Sequence, residues 1–203
     1  MKKMITFMMV MAMTFCFVAC QKAETDDTYE KDTVKIEALN ANKEMVDLEV
    51  PYNPERIAIL DMPALDIVDA LGVGDRVVGS AKVTIEYLTD YNPDDSNGAI
   101  MNLGTVKTAD LEKVAACNPD IIFIGGRLAS VYADLEAIAP VVYLGVDYEN
   151  GIVESTKQNA KTIATIFGKE AEVATMFTDF QPRIDALSNI LKGEEVVLGM
   201  YNS

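Results

Sequence analysis

Two basic side chains stand just past short apolar runs. Lys82 follows Arg76-Val77-Val78-Gly79-Ser80-Ala81, and Arg127 follows Ile121-Ile122-Phe123-Ile124-Gly125-Gly126. A guanidinium offers a planar fork of donors and a flat face for stacking, so Arg127 suits an anion or an aromatic ring. An ammonium such as Lys82 acts as a point charge. Arg127 could equally cap a strand-to-helix junction or pair with a surface acid. Two further reversals, Asp61-Met62 and Gly104-Thr105, complete a set of four loops. What is missing narrows the chemistry. The chain has no histidine, which removes the commonest zinc ligand and the usual general acid or base. No Gly-x-Gly-x-x-Gly follows a strand and no Walker motif or triad is present, so an enzyme is not expected.

Charge argues in the same direction. Seventeen Lys and Arg stand against 32 Asp and Glu in 203 residues, a formal net charge of −15. Nucleic acid is not an expected partner, because neutralising phosphates needs a basic face. With 50% hydrophobic and 24% charged residues, the chain can bury a core, and collagen-like and low-complexity classes are excluded.

The first residues read as a processing segment. Lys2 and Lys3 precede an uncharged apolar run, Met4 to Phe17, of 14 residues, short of the roughly 20 that a spanning helix needs. The run ends in Phe17-Val18-Ala19-Cys20, which resembles a bacterial lipobox, with Phe17 where leucine is usual. Residues 1–19 are therefore expected to be a lipoprotein signal peptide and Cys20 the lipidated residue. Two acyl chains anchor stably, at about 0.8 kcal/mol per buried methylene. Of three cysteines, Cys16 leaves with the signal, Cys20 carries lipid and Cys117 remains, so no intramolecular disulfide is expected. Cys117 ends an apolar helical stretch and reads as a small buried hydrophobe.

The elements that must position the four loops alternate. Residues 20–33 are polar and charged, a flexible spacer. Val34–Leu39 and Met45–Val50 flank Asn40-Ala41-Asn42-Lys43, the pattern of a hairpin. Strands follow at Arg56–Leu60, Arg76–Gly79, Ile121–Ile124 and Val141–Leu144, with helices at Pro63–Leu71, after an N-cap at Thr108, and from Gly125-Gly126 to Ala139. Strands alternating with helices predict an α/β fold, a parallel-sheet lobe with flanking helices. Ligands of such sheets bind beyond the carboxyl ends of the strands, where the four loops fall. From Glu154 the chain turns helical, with Gly168 as a cap and a second helix over Lys169–Lys192 that Pro182 should kink or break. Glu195–Tyr201 reads as one more strand.

Several segments, taken together, carry a resemblance. Pro54 to Asp66, Leu71 to Gly79, Asn102-Leu103-Gly104-Thr105, Asp110-Leu111-Glu112-Lys113-Val114, Asn118 to Arg127 and Leu144-Gly145-Val146-Asp147 match in order and spacing. The chain resembles the substrate-binding lipoproteins of siderophore ABC importers, from about Val34 to its end. The resemblance implies a class III periplasmic-binding-protein fold, two α/β lobes joined by a long helix with the ligand in the cleft. On this expectation residues 34–150 form the N-terminal ligand-binding lobe, 151–193 a helical segment with the interlobe helix, and 194–203 the first strand of a second lobe that is missing.

The resemblance also implies roles. Gly125-Gly126-Arg127 is like the catecholate-binding branch, so the expected ligand is a ferric siderophore, an anion with exposed oxygens and flat rings that Arg127 can grip. Lys82, Met62 and Thr105 join Arg127 as expected ligand-binding residues. The two glycines are read as serving the backbone turn. Glu112 is implied to dock on the permease, although a first-turn glutamate also compensates the helix dipole, by about 0.3 to 1 kcal/mol. Tyr87, Tyr91, Tyr132 and Tyr143 are read as packing. The expected partners are an ABC permease with its ATPase and the membrane through the lipid anchor, on its outer side. The chain is expected to be monomeric, with no cofactor and no resident metal. Haem, cobalamin or a bare metal ion are alternative ligands of this fold, and a non-functional remnant is a further alternative.

Overall fold

The computed structural model describes residues 33–94, 98–147 and 151–193. The expected signal peptide, Cys20, most of the spacer and the strand expected over 195–201 lie outside these residues.

The hairpin forms first in the chain. β1 (Thr33–Leu39) pairs antiparallel with β2 (Met45–Pro51) over the full length of both. Their turn is closed by the Asn40 side-chain oxygen, which accepts from the Asn42 and Glu44 amides. Then β3 (Ile57–Leu60) leads into α1 (Met62–Ala70), and β4 (Val77–Ser80) follows. A long connection reaches β5 (Met101–Asn102), and a two-stranded ribbon, β6 (Gly104–Thr105) and β7 (Thr108–Ala109), precedes α2 (Leu111–Ala116). β8 (Ile121–Ile124), a 3-10 segment over Gly126–Val131, α3 (Tyr132–Glu136) and β9 (Val141–Tyr143) complete the lobe. Two helices end it, α4 (Ile152–Phe167) and α5 (Glu170–Ile190).

The sheet runs β2-β1-β9-β8-β3-β4-β5, parallel from β9 to β5, with the hairpin joined at β9 through the pair Leu39↔Tyr143. Its central strands are apolar throughout because both faces are covered. Ile57, Ile59, Ile121, Phe123 and Val142 face one side, with residues of α1 and α4. Ala58, Leu60, Ile122, Ile124 and Tyr143 alternate to the other, with Val114 of α2 and Leu135 of α3. Each fully buried Ile or Leu here contributes about 1.5 to 3 kcal/mol. Cys117 is buried, its thiol donating to the Val114 carbonyl at 3.2 Å and held up in pKa chiefly by burial. It is an inert core group.

Three local expectations change. The N-cap of α2 is Asp110, which accepts from the Lys113 amide at 3.2 Å. Thr108 instead pairs with Thr105 in the ribbon, and the Thr105 hydroxyl accepts from the Lys107 and Thr108 amides, so helix entry is delayed by two residues. The stretch expected as one helix from Gly126 to Ala139 divides into the 3-10 segment and the short α3. Pro182 does not end α5. Its missing amide frees the carbonyl of Thr178, which lies on the exposed side of the helix, where water can take the bond. Gly168 closes α4 as expected, in the left-handed conformation at φ 64°.

Candidate functional site

The carboxyl ends of β3, β8 and β9 open onto a groove of about 1100 Å³. Its floor is Asp61, Gly125, Gly126 and Tyr143. One wall is the hairpin, through Glu37, Leu39, Lys43 and Met45. The other is α4, through Glu154, Ser155, Gln158 and Asn159, and Arg127 stands on the rim.

Local structure fixes the floor. Leu60 pairs with Ile124, so the next residues, Asp61 and Gly125, leave the sheet side by side. Asp61 caps α1, its Oδ2 accepting from the Ala64 amide at 3.1 Å. Its Oδ1 lies against Gly125, in the space where a side chain at 125 would begin. Gly125 itself is extended, at φ −106° and ψ 177°, a conformation open to any residue. Glycine is required here by the Asp61 carboxylate and not, as the sequence suggested, by the turn. The Asp61 carboxyl is pushed above its ordinary pKa by burial, against the Ala64 amide and the charge of Arg127, which both pull it down.

The α4 wall is tied back to the sheet. The Asn159 side chain donates to the Gly145 carbonyl at 3.0 Å, and the Ser155 hydroxyl accepts from the Asp147 amide at 2.9 Å. Lys157 ion-pairs with Glu154 at 3.4 Å and also donates to Gln181 of α5 at 2.8 Å.

The structure does not gather all the residues expected from the sequence. Arg127 is exposed on the groove, with no described carboxylate within ion-pair distance. Lys82 follows β4 at the same end of the sheet, but it is exposed, pairs with Asp94 at 3.6 Å and does not line the groove. Met62 is partly buried and packs against both cores from the first turn of α1. The Thr105 hydroxyl is spent in the ribbon turn, while its neighbour Val106 reaches the groove. Glu112 is exposed in the first turn of α2. Of the tyrosines, Tyr143 lies on the groove floor, its hydroxyl held up in pKa by burial, and Tyr132 is core. Tyr91 donates to Asp69 at 2.5 Å, and Tyr87 is exposed.

Lys43 and the α4 side chains are groove residues that the sequence does not point to, and it places the loop of Asp61 at the ligand end without giving that side chain a role there. An Asp one residue before Met-Pro is a helix-cap signature, which was legible. Nothing local marks Lys43 or Asn159. Overall the groove lining carries two bases, Lys43 and Arg127, against four acids, Glu37, Asp61, Asp147 and Glu154.

Comparison with known proteins decides the family. Residues 57–201 match the family described as periplasmic binding protein. The chain belongs to the periplasmic binding protein family. Among relatives of this family, the petrobactin-binding protein YclQ of Bacillus subtilis is 38% identical over 126 residues, covering 62% of this chain and 38% of YclQ. The "Probable siderophore-binding lipoprotein YfiY" of Bacillus subtilis is 28% identical, covering 94% of this chain and 57% of that protein. The crystal structure of YclQ superposes with a TM-score of 0.70 at 31% identity, covering 80% of this chain and 54% of YclQ. The catecholate-siderophore binding protein VctP of Vibrio cholerae, at 22% identity and a TM-score of 0.68, covers 78% of this chain and 55% of VctP and shows the same fold. The periplasmic-binding-protein fold is thus the class III arrangement, and this chain spans about half the length of the curated relatives it matches.

Proposed function

We propose that this chain captures a ferric siderophore, of catecholate type, at the carboxyl end of its parallel sheet, for delivery to an ABC permease. It is a binding protein and not an enzyme. The observation that carries the reading is Arg127, an exposed guanidinium without an ion-pair partner among the described residues, standing on the rim of the large groove. A ferric tris-catecholate presents anionic oxygens to the fork and ring planes to its face. Tyr143 and Gly126 line the groove beside Arg127.

The relatives' names support the ligand class, because YclQ is named for petrobactin and YfiY for siderophore binding. Lys82, Met62 and Thr105 are assigned a peripheral role at the same sheet end. Glu112 is assigned to the permease, since it is exposed in the first turn of α2, away from the groove lining. Cys20 is assigned the lipid anchor, with residues 1–19 as signal peptide and 20–33 as spacer, placing the lobe outside the cytoplasmic membrane. Among the described residues no helix is long and apolar enough to cross a membrane. Calorimetric titration with a ferric tris-catecholate, haem and cobalamin tests the reading. Saturable binding of the catecholate alone is expected, and binding of haem or cobalamin in its place would overturn it.

A further inference from the structure

The groove is a poor trap for a bare anion. Its lining holds more acids than bases, and one of the acids, Asp61 on the floor, is held at both carboxylate oxygens. Asp61 cannot swing away. Its Oδ2 is committed to the Ala64 amide, and its Oδ1 is lodged over Gly125. A carboxylate has about four acceptor sites. The described structure fills one, so Oδ1 remains a preorganised acceptor on the groove floor beside Arg127.

Such an arrangement pairs opposite charges at one end of one groove, and any ligand that reaches Arg127 must also face Asp61. A trianionic chelate with nothing but oxygens on its surface gains at Arg127 and loses at Asp61. A chelate whose linker carries a protonated amine gains at both, because the ammonium donates to Oδ1 while the catechol oxygens take the guanidinium. Building a repulsive group against one competitor is how a site turns modest contacts into discrimination.

We infer that Asp61 is a specificity-determining residue of this groove, and that it selects ferric catecholates whose linker bears a cationic amine over those on a neutral scaffold. The assignment rests on the siderophore reading proposed above. It adds to that reading the chemistry of the ligand's linker.

Two synthetic probes test it, a ferric tris-catecholate on an all-amide scaffold and one on a scaffold with a single protonated secondary amine. The wild-type chain is expected to prefer the amine-bearing probe. Asp61→Asn, which keeps the helix cap and the shape, should tighten the all-amide probe by about three- to tenfold and weaken the amine-bearing probe by a similar factor. Asp61→Ser, a second uncharged cap, should behave alike, with the melting temperature confirming that both variants are folded. An unchanged preference ratio, or equal weakening of both probes, would overturn the role of Asp61 while leaving the siderophore reading intact. Failure of the wild-type chain to bind either probe saturably would overturn the siderophore reading itself, and the assignment with it.

Discussion

Asp61 Oδ1 occupies the space in which a side chain on Gly125 would have to begin. The two residues are neighbours because parallel β3 and β8 end in register, Leu60 beside Ile124. Replacement by alanine therefore sets a methyl against a carboxylate that is already holding a helix terminus. Gly125→Ala is expected to lose the cap and add overpacking, destabilising the lobe by about 2 to 4 kcal/mol. Gly126→Ala meets only the Tyr143 hydroxyl, at 3.4 Å, and should cost much less. Thermal melts of the two variants compare them, and equal melting temperatures would show that the carboxylate moves freely.

Arg127→Ala should leave the fold unchanged, because the side chain is exposed and ties no elements together. Affinity for a ferric catecholate should fall about tenfold or more, the worth of one charge-assisted contact at roughly 1.5 to 3 kcal/mol. Calorimetry reads both effects, and wild-type affinity would remove Arg127 from the site.

The half-buried carboxyl of Asp61 makes stability depend on pH in a definite direction. Its pKa in the folded chain lies above the unfolded value of about 3.9. The folded state therefore holds the proton more tightly than the unfolded state. This contribution is fully present below the unfolded pKa and is lost as pH rises through the folded one. Asp61→Asn lacks that loss, so its stability relative to wild type should rise across the same window and then level off. Denaturant melts from pH 3 to pH 7 measure the difference, and a flat difference would mean that the carboxyl is solvated.

Charge reversal at Glu112→Arg should spare ligand affinity and lower uptake in a reconstituted transporter, since the residue stands on α2, clear of the groove lining. Wild-type uptake would return Glu112 to compensation of the helix dipole.

Labelled fatty acid should appear on the wild-type protein and be absent from Cys20→Ser. Equal labelling of the two would remove the lipid anchor.

Much of the lobe is legible in the chain because its signals are local. Ile121–Ile124 and Ile57–Leu60 are apolar at every position, which only a strand covered on both faces requires, and Gly168 marks a helix end through its own backbone conformation. The four loops at the carboxyl end of the sheet follow from strand-helix alternation, and with them the position of Arg127. Local signals misplace the entry to α2, because Thr108 and Asp110 are both competent caps and the choice falls to the pairing of Thr105 with Thr108. The groove is decided by tertiary structure alone. Lys43, Asp61, Arg127 and Asn159 are far apart in sequence, and they meet because the hairpin joins β9 while α4 packs back along the same sheet end. Sequence patterns report whether a residue is buried and in which kind of element. Which charges share one groove depends on strand order and register, and these are set by the packing of the whole sheet.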